Sequence, residues 1–145
     1  MAPVSSLYQQ SIRPLLLPLP MGLWICSLGC DVIYRMGWGG PAWNDAALYA
    51  LIGGFCSALL GAVPGYIDYQ AISDPEVKEI AWWHTASHLI VIMLSGLNIW
   101  FRLWSEPGSG LTLALSILGI ALLGISGWLG GELGYEDELA VEREQ

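Results

Sequence analysis

The sequence predicts an all-α integral membrane four-helix bundle with both termini on the same side of the bilayer. Three observations predict it. The 145 residues are 54% apolar and 12% charged, with a mean hydropathy of +0.54, whereas a soluble domain this small must cover much of its surface with charge. Four uncharged stretches, 14–30, 46–67, 80–101 and 107–131, lie between successive ionised residues, and each approaches or exceeds the roughly 20 residues that cross about 30 Å of hydrocarbon. Seven of the eight Trp fall near the ends of these stretches, where indoles favour the lipid–water interface.

The first stretch is the shortest and holds Pro14, Pro18 and Pro20, each lacking a backbone donor and disfavouring helix in the residue before it. Regular helix is expected from about 20 to 34 within a span at about 18–35. The other spans are placed at about 45–65, 80–104 and 109–131. Residues 1–13 form an N-terminal segment, 14–133 the transmembrane domain and 134–145 an acidic tail compatible with helix. A cleaved signal peptide does not fit the opening. Its first basic residue is Arg13, prolines break its apolar run, no A-x-A pattern follows, and Ile25 is too bulky to precede a lipoprotein Cys26. The N-terminus is expected to be retained.

Four crossings put Trp82, Trp83 and Trp128 with the termini and a loop at 63–79. Trp38, Trp43, Trp100 and Trp104 fall opposite, and Trp24 lies mid-span. The terminal face carries ten of the thirteen acids against Arg13, Lys78 and Arg143, hence seven of the eight net negative charges. The basic residues divide three to two, a bias toward cytoplasmic termini in a bacterial cell or intracytoplasmic membrane. With so few cations there is no stripe to neutralise phosphates, which excludes nucleic acid as a partner. Cys26, Cys30 and Cys56 offer neither a disulfide framework nor a CxxC metal spacing.

Helices in lipid associate through small residues that let backbones approach, and through a few polar contacts. Gly22, Cys26 and Cys30 repeat on the first span. Gly54, Ala58 and Ala62, with Gly61 and Gly65, line the second, and Ser126/Gly130 and Gly127/Gly131 line the last. These seams are expected to close the bundle, and the surplus to dock other membrane-protein subunits. Charges at membrane depth are costly and expected to pair, so Asp31 is read as a structural partner of Arg102 or Arg35, with Asn98 beside them.

On the terminal side, Asp68, His84, His88 and Glu132 sit near helix ends. His84 and His88 are i, i+4 and share a helical face, the spacing at which two imidazoles can hold one metal ion, with Asp68 or Glu132 completing its shell. A bis-His haem is excluded by counting, because its two ligands must approach opposite faces of the ring and the chain has no third His. Haem would need a Met ligand, a second copy or a partner, whereas a chlorophyll-type pigment needs only one imidazole. No catalytic residues are assigned, since no nucleophile elbow, phosphate loop or paired-carboxylate cleft is present.

Arg13-Pro14, Pro18-Leu19-Pro20-Met21-Gly22-Leu23-Trp24, Asp31, Gly61-Ala62-Val63-Pro64-Gly65-Tyr66-Ile67-Asp68-Tyr69, His84, Arg102 and Gly130-Gly131-Glu132-Leu133 form a set. It resembles the bacterial four-helix membrane-protein family catalogued as domain of unknown function 2231, from about Ile12 to Tyr135. The resemblance implies a four-helix membrane domain and, because members are sometimes fused to Rieske or cytochrome-like modules, an electron-transfer setting. The family pattern has His-Pro where this chain has Arg13-Pro14, and a polar residue such as Asn at the position of His88.

The leading expectation is a non-catalytic accessory subunit docked in a larger membrane bioenergetic complex, respiratory or photosynthetic, its cofactor either none or a haem, metal or chlorophyll-type pigment held through a single His. The alternative is a cofactor-binding membrane redox protein that uses His84 or His88 as ligand to haem, metal or a chlorophyll-type pigment. A third reading, a small transporter through Asp68, His84 and Glu132, lacks a polar midplane, since only Ser95 is polar between His88 and Asn98.

Overall fold

The computed structural model describes residues 18–143, apart from the side chains of 129, 130 and 132–143. Residues 1–17, with Arg13 and Pro14, lie outside the description, as do the side chains of Glu132 and the acidic tail. Four helices follow in order: α1 (Pro18–Arg35), α2 (Ala42–Ala71), α3 (Pro75–Trp104) and α4 (Gly110–Arg143). Pro18 and Pro20 sit in the first turn of α1, where a missing N–H loses no intrahelical bond, so the helix begins at Pro18 despite them.

Helices α2, α3 and the 110–128 portion of α4 are long and apolar enough to cross a membrane. Helix α1 falls short of the same measure because Asp31 and Arg35 occupy its last turns. From Trp82 to Trp104 along α3 is about 33 Å, close to the hydrocarbon thickness, and both indoles are exposed. The expected 63–79 loop is mostly helix: α2 continues to Ala71 and α3 starts at Pro75. Charge counting finds only the hydrocarbon portion of a helix, and beyond it charged residues continue the helix at no cost in desolvation. The turn between is set by Asp74, whose Oδ1 accepts from the Glu76 amide at 2.9 Å with Pro75 opening α3.

The helices pack as two hairpins, α1 with α2 and α3 with α4, which close into a square through looser α2–α3 and α1–α4 contacts. The composition is inverted relative to a soluble bundle. Buried polar Ser27, Asp31, Ser57, Ser95, Asn98, Thr112, Ser116 and Ser126 share the interior with Trp24, Leu51, Ala58, Val91, Ile92 and Leu123, while Leu, Ile and Trp cover the outside. Ser27 Oγ donates to the Ala47 carbonyl at 2.7 Å, joining α1 to α2.

At the end away from the termini, Arg102 of α3 pairs with Asp31 of α1 across the diagonal of the square, between helices whose backbones do not touch. Their side chains are 5% and 8% exposed. Arg102 Nε also donates to Asn98 Oδ1 at 3.2 Å, and Asn98 Nδ2 donates to the Thr112 carbonyl at 3.1 Å and to Ser116 Oγ at 2.8 Å. Ser116 Oγ in turn donates to Asp31 Oδ2 at 3.4 Å. Arg35 takes no part in the pair. It lies one turn further out, where its Nη2 donates to the Gly108 carbonyl at 2.6 Å, and Gly108 holds the α3–α4 turn with a φ of 75°.

Of the six glycines expected to close the bundle, Gly54 does so most tightly. A Cβ there would lie 2.7 Å from Trp24 Cδ1 and Nε1. Gly127 only touches Met21 Cε, at 3.9 Å, and a Cβ on Gly22, Gly61, Gly65 or Gly131 would meet nothing within 4 Å. Among the described residues those four therefore make no close helix contact: Gly61 and Gly65 border a cavity, and Gly22 and Gly131 are exposed.

Gly54→Ala is expected to lower stability by about 1–3 kcal/mol through overpacking against Trp24, while Gly29→Ala, in open space on α1, is neutral or stabilising. Thermal unfolding in detergent reads the contrast. By the same measurement, Asp31→Leu alone should cost about 3–5 kcal/mol by leaving Arg102 buried and unpaired, and pairing it with Arg102→Leu should recover most of the loss.

Candidate functional site

At the terminal end the two hairpins part. A cavity of about 560 Å³ opens between them, lined from all four helices, with Met21 from α1, Ala58, Gly61, Ala62 and Gly65 from α2, His84 and His88 from α3, and Ser126 from α4. Ala58, Gly61, Ala62 and Gly65 stand at i, i+3, i+4 and i+7, so one face of α2 presents a nearly bare wall. Pro64 lies within this stretch and leaves the carbonyl of Leu60 without its helical donor. His84 and His88 lie just inward of Trp82 and Trp83, at the inner edge of the interface.

The two imidazoles stack on the same face of α3, with ring centroids 6.1 Å apart and planes inclined by 23°. Their surroundings differ. His84 Nδ1 lies 2.8 Å from the backbone carbonyl of Ser126 and 3.2 Å from its hydroxyl. A carbonyl only accepts, so Nδ1 carries the proton, and in the neutral ring the lone pair resides on Nε2. Ser126 Oγ also donates to the backbone carbonyl of His84 at 3.4 Å, so both the ring and the main chain of His84 are tied to α4. His88 instead packs against aromatic carbon, its ring 6.3 Å from that of Trp24.

Among the described residues no three His, Cys, Asp or Glu side chains come together to hold an ion, so Asp68 does not join His84 and His88 in such a set. Glu132 falls outside the residues whose side chains are described. Ser126, the group that orients His84, is absent from the sequence-based site, and no residue-type signal could have placed it there, because the partner is a backbone carbonyl. Met21 also lines the cavity, so a thioether, one of the three ways of completing a haem's ligation, lies in the same space as the imidazoles.

Residues 9–143 match the family described as predicted membrane protein (DUF2231), over nearly the whole chain. The chain belongs to that family. No curated protein and no solved structure matches it. The DUF2231 description and the three apolar helices agree that this is a membrane protein.

In this DUF2231 chain Trp24 packs between His88 and a small interior void. Trp24 is 4% exposed, meets His88 on one side, and on another borders a void of about 20 Å³ that Ser95, Asn98 and Ser116 also line. It stands between His88 and Asn98, the near end of the Asp31–Arg102 network, which are about 15 Å apart along α3. Its Nε1 has no hydrogen-bond partner among the described residues. Trp24→Phe is therefore expected to cost less than about 1.5 kcal/mol, and Trp24→Ala about 3–5 kcal/mol through the cavity it leaves; unfolding midpoints of the two variants give the comparison.

Proposed function

We propose that this protein is a non-catalytic integral membrane component that holds one large, mostly apolar cofactor between its two helical hairpins, as part of a bioenergetic assembly. The observation that carries this reading is the 560 Å³ cavity at membrane depth with two imidazoles on its wall. Its volume falls within the roughly 300–1,000 Å³ of small-molecule and cofactor sites, and such sites are apolar with a few placed polar groups. Metal, haem and a chlorophyll-type pigment are the cofactor classes an imidazole can hold. The fusion of similar proteins to Rieske and cytochrome-like modules favours electron transfer as the setting.

Docking to other subunits has its own support. Gly22 and Gly29 of α1 are exposed and have open space where a side chain would be, so a foreign helix could approach their backbones closely. An accessory subunit that also carries a cofactor unites the two readings.

The experiment is purification of the full chain from its native membrane in mild detergent, with a visible spectrum and mass spectrometry of the same fraction. The expected outcome is a chromophore at a fixed ratio to the chain, together with co-migrating subunits. Gly22→Leu with Gly29→Leu should release the subunits and leave the chromophore. A colourless chain with no bound small molecule would overturn the cofactor reading, and a chain that migrates alone would overturn the docking one.

A further inference from the structure

Two imidazoles in an apolar cavity are compatible with several ligand chemistries, and the hydrogen bond behind His84 chooses among them. Because Nδ1–H is committed to the Ser126 carbonyl, His84 offers the cavity a lone pair and no proton. A quinone or other carbonyl ligand, which needs a donor, gains nothing from such a ring. A Lewis acid does. An imidazole whose far nitrogen donates to a backbone carbonyl is the usual form of a metal-ligating His, since the outer bond fixes the tautomer and raises the basicity of the ligating nitrogen.

A bare ion is the wrong Lewis acid. Among the described residues no third ligand of the His, Cys, Asp or Glu type approaches the pair, so the described site best suits a metal that arrives with most of its coordination already filled. A planar macrocycle does so with its four ring nitrogens and asks the protein for one axial imidazole. The rest of the cavity suits a flat ligand. The wall formed by Ala58, Gly61, Ala62 and Gly65 has no side chain longer than a methyl group, and a Cβ on Gly61 or Gly65 would meet nothing within 4 Å.

From these observations we infer that the cavity takes a metal-bearing tetrapyrrole-type macrocycle, with Nε2 of His84 as its axial ligand and the Ser126 carbonyl as the positioning group behind it. The inference rests on the ligand-holding reading above and narrows it to one class and one atom. His88 packs beside the macrocycle and does not ligate it. It lies on the same face of the same helix, so it cannot reach the opposite side of the ring, and among the described residues no hydrogen bond orients it.

The test uses the full chain, freed of any native ligand and held in lipid nanodiscs, titrated separately with ferric haem, zinc protoporphyrin and metal-free protoporphyrin. Both metallated rings are expected to bind at one per chain with the spectral shift of axial imidazole ligation. His84→Ala should weaken them by about 100-fold and remove that signature, and free imidazole should restore it. His88→Ala should keep the signature, and Gly61→Leu should block all three rings while unfolding at the wild-type temperature. If metal-free protoporphyrin binds as tightly as the metallated rings and His84→Ala changes nothing, metal ligation is overturned while the cavity still stands as a ligand site. A signature that follows His88 overturns the assignment to His84. Failure of every ring to bind the wild type overturns the macrocycle, and a native chain that still purifies with another apolar ligand keeps the broader reading.

Discussion

A buried charge in a bilayer has no water to retreat to, and the ion pair between Asp31 and Arg102 is where this fold meets that constraint. Each charge sits on a helix that could not be inserted comfortably alone. Their attraction runs across the diagonal of the square, so it fixes the relation between the two hairpins, which neither helical turn can do. Asn98, Thr112 and Ser116 take up the remaining donors and acceptors and bring α4 into the same network. With the register of three helices set at one end, the positions of Trp24, His84 and His88 further along follow from helical geometry.

The other end of the bundle is organised by the opposite choice. Small residues on α2 and the parting of the hairpins leave space where the distal end has polar contacts, and Trp24 stands between the two regimes. A tightly joined end and an open end are compatible because the stabilising contacts are concentrated: Gly54 is filled by Trp24, whereas Gly61 and Gly65, two and three turns on, are filled by nothing. In a soluble bundle the open end would collapse under the hydrophobic effect. In lipid that driving force between helices is absent, so a wall of Ala and Gly can persist without closing.

Much of this was legible in the residues. Intervals between charges mark an apolar segment in each of the four described helices, and α1, described from Pro18, ends at Arg35 beside the charges that close its apolar run. The i, i+4 spacing put both imidazoles on one face. What the sequence left open depends on relations between elements. Asp31 had two candidate partners, and only the diagonal packing of α1 and α3 selects Arg102 over Arg35. The glycine seams were read as contact surfaces by residue type, yet a glycine that lines a cavity and one that touches a helix look alike in sequence. The carbonyl of Ser126 was invisible for a deeper reason, since every residue has one and only the fold decides which meets a ring.

The cavity also opens sideways. Leu89 and Tyr66 on its rim are exposed, and Leu89 lies deeper in α3 than either imidazole, so the mouth faces acyl chains rather than water alone. A guest would then reach it by diffusing within the plane of the membrane, at the elevated concentration to which partitioning raises any oily molecule there. Occupancy would be governed by competition with the lipid tails that wet the same mouth. Residence would depend on how fast a tail replaces the guest, and the thickness and fluidity of the host bilayer would become part of the affinity.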